Sequence, residues 1–146
     1  MVTRRAYLGS LAHHAVFEAE LTGIWLALRV IMEQPEVNEA VVCLDNQPAI
    51  TRSHDPKPKS GQLITDAIHA ELEAIRARRP GFLLRLVWLP GQEGVDGNEL
   101  ADLHAKKAAA GIDSAPLVLN GRRLPRSAAA LRAKFNTSSR AAWQRR

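Results

Sequence analysis

The sequence predicts an α/β protein, and three observations carry that expectation. Two short apolar runs, "EAVVCLD" and "FLLRLVWLP", are closed by a carboxylate and by a proline and have the length of strands. Longer stretches around them repeat apolar residues every three or four positions, as one side of a helix does. The two kinds of segment alternate along the chain, which is the order of parallel strands joined through helices.

Taken from the N-terminus, residues 4–11, "RRAYLGSL", are a short candidate strand. In "HHAVFEAELTGIWLALRVIMEQP" the residues Phe17, Leu21, Ile24, Leu28 and Ile31 recur at helical spacing until Pro35 stops the pattern. "EAVVCLD" is continuously apolar, so it is expected to be a strand buried on both faces. Asn46 suits the N-cap region of a short helix directly after it, and Pro48 suits that helix's first turn. After the exposed basic loop "HDPKPKSG", an amphipathic helix runs through Leu63, Ile64, Ala67, Ile68, Glu71, Leu72 and Ile75 and ends at "PG". "FLLRLVWLP" is a second buried strand. "LPGQEGVDGNELADLHAKKAA" then enters a helix from about Gly97 to Ala110, with Asp96 or Asn98 as its cap. "APLVLNGRRLPRS" reads as a connector, and beyond it Leu124, Ala128, Leu131 and Phe135 share one helical stripe. Two regions result, 1–112 for the α/β domain and 113–146 for a basic connector and C-terminal amphipathic helix.

A chain of 146 residues suits one hydrophobic core. No apolar run approaches the roughly 18 residues of a membrane span, so a membrane partner is not expected. The N-terminus has neither an apolar core of signal-peptide length nor a cleavage pattern, which points to an intracellular (cytoplasmic or nuclear) protein that is not secreted. A disulfide framework is excluded by the single Cys43, expected to be buried and inert in "AVVCL". There is no Gly-rich phosphate loop, nucleophile elbow or zinc cysteine pattern, and the five histidines show no metal spacing such as HExxH. The net charge of +5 is unevenly placed. Eight of the 20 basic residues come after Asp113, the last of the 15 acidic ones, which leaves residues 1–113 at −3. A basic tail on a mildly acidic body suggests nucleic acid or another polyanion as partner.

Three positions carry candidate chemistry. Asp45 ends a strand, where open α/β sheets place their ligand sites, although Asp-Asn also favours a plain turn. Glu18 and Glu20 lie at opposite edges of the apolar arc of the first long helix, and periodicity does not choose between them. Asp102 shares a helix side with Asn98, Ala105 and Ala109, and those alanines are expected to hold it near the sheet. Carboxylates converging from such distant segments hold hard divalent ions together with waters and phosphate oxygens.

"VFEAELTGIWLAL", "VVCLDNQPAI" and "RLVWLPGQEGVDGNELADLHAKKAA" together resemble the ribonuclease H domain of reverse transcriptases from non-LTR retrotransposons, especially fungal ones. The resemblance covers roughly residues 4–110, and the tail is similar to the segment that often succeeds that domain. It implies a ribonuclease H-like mixed five-stranded sheet flanked by helices. The implied activity is hydrolysis of the RNA strand of an RNA–DNA hybrid by two Mg²⁺ or Mn²⁺ ions, which activate water and stabilise the leaving 3′ oxygen. By the same resemblance Glu20, not Glu18, is a metal ligand, with Asp45 and Asp102. Gln92 stands where the family carries a catalytic histidine. Asn98 matches a substrate contact. Asn46, Lys57, Lys59, Arg122, Arg123 and Arg126 complete the expected nucleic-acid-binding set. Glutamine does not shuttle protons near neutral pH, so slower turnover is expected. The family's first metal-bridging aspartate has no counterpart before Asp45, and the family's first two strands are absent, so the domain reads as N-terminally truncated. Weak metal binding and weak or absent hydrolysis are therefore expected. So is an exposed sheet edge, filled either by a second copy, giving a homodimer, or by residues 2–11. The alternative function is a non-catalytic nucleic-acid-binding or oligomerisation module.

Overall fold

The computed structural model describes residues 2–9, 16–55, 57–58, 60–91 and 96–144, without the side chains of Asp96, Asn98, Ala129, Ala130, Ala142 and Gln144. Its elements are β1 (Ala6–Tyr7), α1 (Val16–Met32), β2 (Glu39–Leu44), α2 (Gln47–His54), α3 (Gln62–Arg78), β3 (Leu83–Trp88), α4 (Asp96–Ala109), β4 (Ala115–Pro116), β5 (Val118–Leu119), β6 (Arg122–Arg123) and α5 (Ala128–Gln144). The protein is mixed α/β, as the alternating pattern implies.

The centre is the parallel pair β2–β3, in register from Glu39 opposite Leu83 to Leu44 opposite Trp88. The crossover between them consists of α2 and α3. Helix α1 packs on α3 and on β2. Leu21, Ile24 and Leu28 of α1 meet Ile64, Ile68 and Ile75 of α3 in one buried cluster with Leu44, Ala49 and Phe82. Gly61 starts α3 in the left-handed region at φ 78°. A Cβ there would lie 2.7 Å from Leu21 Cδ1, so both the backbone and the packing require glycine.

Arg79 closes the layer just past the end of α3. Its guanidinium donates to the carbonyls of Ile31 (3.0 Å), Gln34 (2.8 Å) and Val37 (2.6 Å), and it stacks on Phe82. The last turn of α1 and the loop after it are thereby tied to the end of α3 by one cation, whose charge also suits the dipole at the C-terminus of α1.

Three expectations are corrected. First, β2 and β3 are not buried on both faces. Ala40, Val42, Leu44, Leu84 and Leu86 are wholly or partly covered, whereas Val41, Cys43, Leu83, Arg85 and Val87 are exposed. Helices lie against one face, so each strand alternates although its sequence is continuously apolar. Cys43 is therefore an exposed thiol, not a buried one.

Second, the described strands do not join into one mixed five-stranded sheet but form three separate two-stranded pairs. Ala6 and Tyr7 pair in parallel with Ala115 and Pro116, and Leu117 N–H donates to Tyr7 O at 2.9 Å. Residues 6–7 thus do not fill the edge of β2.

Third, the connector is structured. Val118–Leu119 and Arg122–Arg123 form a hairpin around Asn120 (φ 49°) and Gly121 (φ 75°), a turn that needs two left-handed residues. Leu117 and Leu119 join the main core cluster, so the segment after Asp113 contributes to the body. Among the described residues no helix is long and apolar enough to cross a membrane.

Candidate metal and nucleic-acid site

Because β2 and β3 run parallel, their C-terminal ends open side by side, and the segments leaving the two strands must meet. Leu89 N–H donates to Leu44 O at 2.8 Å, extending the ladder by one bond. Trp88 Nε1–H donates to the backbone carbonyl of Asp45 at 3.1 Å. The Pro90–Gly91 turn then passes directly over the Asp45 carboxylate: a Cβ on Gly91 would stand 2.9 Å from Asp45 Oδ2. Glycine lets the turn come this close without displacing the Asp45 carboxylate. Trp88 and Gly91 belong to this site, though only the Pro-Gly dipeptide after an apolar run hinted at it.

Glu20 approaches the same place from α1. Burial holds its carboxyl above the ordinary carboxylate range, and the nearby Asp45 charge raises it further. Glu18 points elsewhere: it is buried and accepts a hydrogen bond from Ser60 Oγ at 3.4 Å. The two glutamates that periodicity leaves equivalent thus have different surroundings, one beside Asp45 and one inside the helix layer.

Asp102 is not brought to this pair. Its carboxylate accepts from Lys106 Nζ at 2.6 Å, one turn along α4, and its side chain is 59% exposed. The alanines on its helix side do not hold it to the β2–β3 sheet as expected, since α4 packs against β1. Among the described residues no group of three or more His, Cys, Asp or Glu side chains could hold a metal ion. Among those residues, Glu20 and Asp45 are therefore a pair rather than part of a triad.

The other expected residues divide three ways. Gln92 and Lys59 lie outside the described residues, and so does the side chain of Asn98. Asn46 acts as the N-cap of α2, its Oδ1 accepting from Ala49 N–H at 3.0 Å. Lys57 is exposed, as are Arg122, Arg123 and Arg126, the first two of these arginines on β6.

Of the histidines, His69 Nε2 lies 2.6 Å from Ser53 O, while His104 Nδ1 is buried without a partner among the described residues. A shallow groove of about 440 Å³ lies between α1 and α2, lined by Phe17, Gln47, Pro48, Thr51, Arg52 and Asp55. It includes neither Glu20 nor Asp45. Searches against protein-family models, curated proteins and solved structures return no match.

Proposed function

We propose that the chain is a ribonuclease H-type domain whose catalytic nucleus is the Glu20–Asp45 pair and whose substrate is the RNA strand of an RNA–DNA hybrid. The observation that carries this reading is the pair itself. Two carboxylates lie within electrostatic reach of each other where parallel strands end, and burial first, with the Asp45 charge second, makes Glu20 reluctant to ionise. Such a pair gains most from a hard divalent cation, which relieves the repulsion and accepts oxygen ligands.

The donor set fits Mg²⁺ or Mn²⁺ held by two carboxylates and waters. When bound, such an ion supplies an activated water and a positive charge at the leaving oxygen. Asp45, fixed by the end of β2 and the Gly91 turn, holds its carboxylate at the strand ends where substrate would lie. Glu20, whose carboxyl burial and the Asp45 charge hold above the ordinary range, would be the second carboxylate to hold such an ion. Asp102 takes part only if it leaves Lys106, and no aspartate precedes Asp45 in this chain. Slow hydrolysis by the isolated chain is the expected result.

The test is cleavage of an end-labelled RNA–DNA hybrid with and without Mg²⁺, comparing wild type with Asp45→Asn and Glu20→Gln. Slow metal-dependent cleavage of the RNA strand, lost in both variants, supports the reading. Cleavage that persists in Asp45→Asn refutes it.

A second reading rests on the tail. Arg122, Arg123 and Arg126 are all exposed, and no acidic residue comes after Asp113. On that reading the chain is a non-catalytic binder of nucleic-acid phosphates. Hybrid binding then needs no divalent ion and weakens steeply with salt.

A further inference from the structure

Two apolar surfaces of this chain have no described element lying on them. One is the outer face of the β2–β3 pair. Val41 is 53% and Leu83 56% exposed there, with Cys43 and Val87 beside them. Parallel strands are almost always covered on both faces, so this face is half of a normal arrangement. The other surface is α5, where Leu131 is exposed and Phe135 and Trp143 reach 70% and 77%. These three fall within about 120° of arc at roughly 100° per residue.

Charge separates the two surfaces. The helix carries Arg132, Lys134 and Arg140 and no acidic residue. The body up to Asp113 is net acidic, with Glu36 and Asp45 exposed just beyond either end of β2. The open face also carries the exposed Glu39–Arg85 ion pair, so it is the acidic groups at its two ends, Glu36 and Asp45, that complement the basic amphipathic helix.

The helix is badly placed to cover its own sheet. Ser127, immediately before α5, is buried, and its Oγ lies 3.4 Å from Ser60 Oγ. Ser60 in turn bonds Glu18 in the first turn of α1. The root of α5 therefore sits in the helix layer, on the opposite side of β2 from the open face. To swing round, it would have to pull Ser127 out of that layer.

We propose that the chain forms a reciprocal homodimer in which α5 of each copy lies across the open β2–β3 face of the other. The partner is a second copy of this chain, and each dimer contains two identical helix-on-sheet contacts. This does not depend on the nuclease reading.

Sedimentation velocity over a concentration series tests it, alongside the rate of Cys43 alkylation by iodoacetamide. Wild type is expected to pass from monomer to dimer as concentration rises, with Cys43 alkylated several-fold more slowly in the dimer. Phe135→Glu, an exposed position, is expected to weaken the dimer about tenfold or more. Val41→Glu on the sheet should do the same. Mixing the two variants should restore a heterodimer, because the helix of the Val41→Glu chain still fits the sheet of the Phe135→Glu chain. If Val41→Glu does not fold, the Phe135→Glu and Cys43 measurements decide alone. A monomer at every concentration overturns the proposal. So does a dimer indifferent to Phe135→Glu, or Cys43 protection that appears only when an oligonucleotide is added.

Discussion

Glu20 sets a measurable pH dependence. Its carboxyl titrates above the ordinary value of 4.5 because it is partly buried and lies near Asp45. Between that ordinary value and the raised one, the folded chain binds more protons than the unfolded chain. Stability therefore falls as pH rises through the window. Glu20→Gln is expected to remove that slope and raise the melting temperature at pH 7, read from thermal melts across pH. Mg²⁺ should raise the melting temperature of wild type at pH 7 but leave Glu20→Gln and Asp45→Asn unmoved; equal shifts in all three would show that the ion binds elsewhere. Gly91→Ala places a methyl 2.9 Å from Asp45 Oδ2, so either the turn or the carboxylate must move. It should diminish the Mg²⁺-induced shift while the chain still melts cooperatively. At this scale the sequence was partly legible. Asp45 was recognisable by its place after an apolar run. Periodicity did not choose between Glu18 and Glu20, because both lie at an edge of the same arc; the family resemblance favoured Glu20, and in the structure Glu18 packs by Ser60 and Glu20 by Asp45.

Among the elements, Arg79 gives the clearest test. Three backbone carbonyls accept from one buried guanidinium, so Arg79→Met is expected to cost about 3 kcal/mol of unfolding free energy. Arg79→Lys should recover only part of it, since an ammonium lacks the planar fork. Urea denaturation of the three proteins measures both. The helices were legible because Pro35, Pro48 and the "PG" after Arg79 punctuate strong apolar spacing. Strand burial was not. A run such as "AVVCL" suits both a strand covered on two faces and one covered on a single face, and only the position of α1 and α3 decides. The Asn120–Gly121 turn was present in the sequence as a hairpin signal, but strands of two residues leave no alternation around it.

For the whole molecule, the boundary near residue 113 separates charge more cleanly than it separates structure. Leu117 and Leu119 lie in the main core, and β4 pairs with β1. A chain ending at Ser127 is therefore expected to keep a cooperative thermal transition, whereas one ending at Asp113 should lose several degrees or fail to fold; circular dichroism melts compare them. The parallel β2–β3 pair bears on how the chain is made. Strand β2 leaves the ribosome before α2, α3 and its partner β3 exist. Until Trp88 has emerged, "AVVCL" is an adhesive segment with no strand to lie beside, and pairing across so long a separation is slow. The hazard of this fold thus falls during synthesis, and a pause in translation between Leu44 and Leu83 prolongs it.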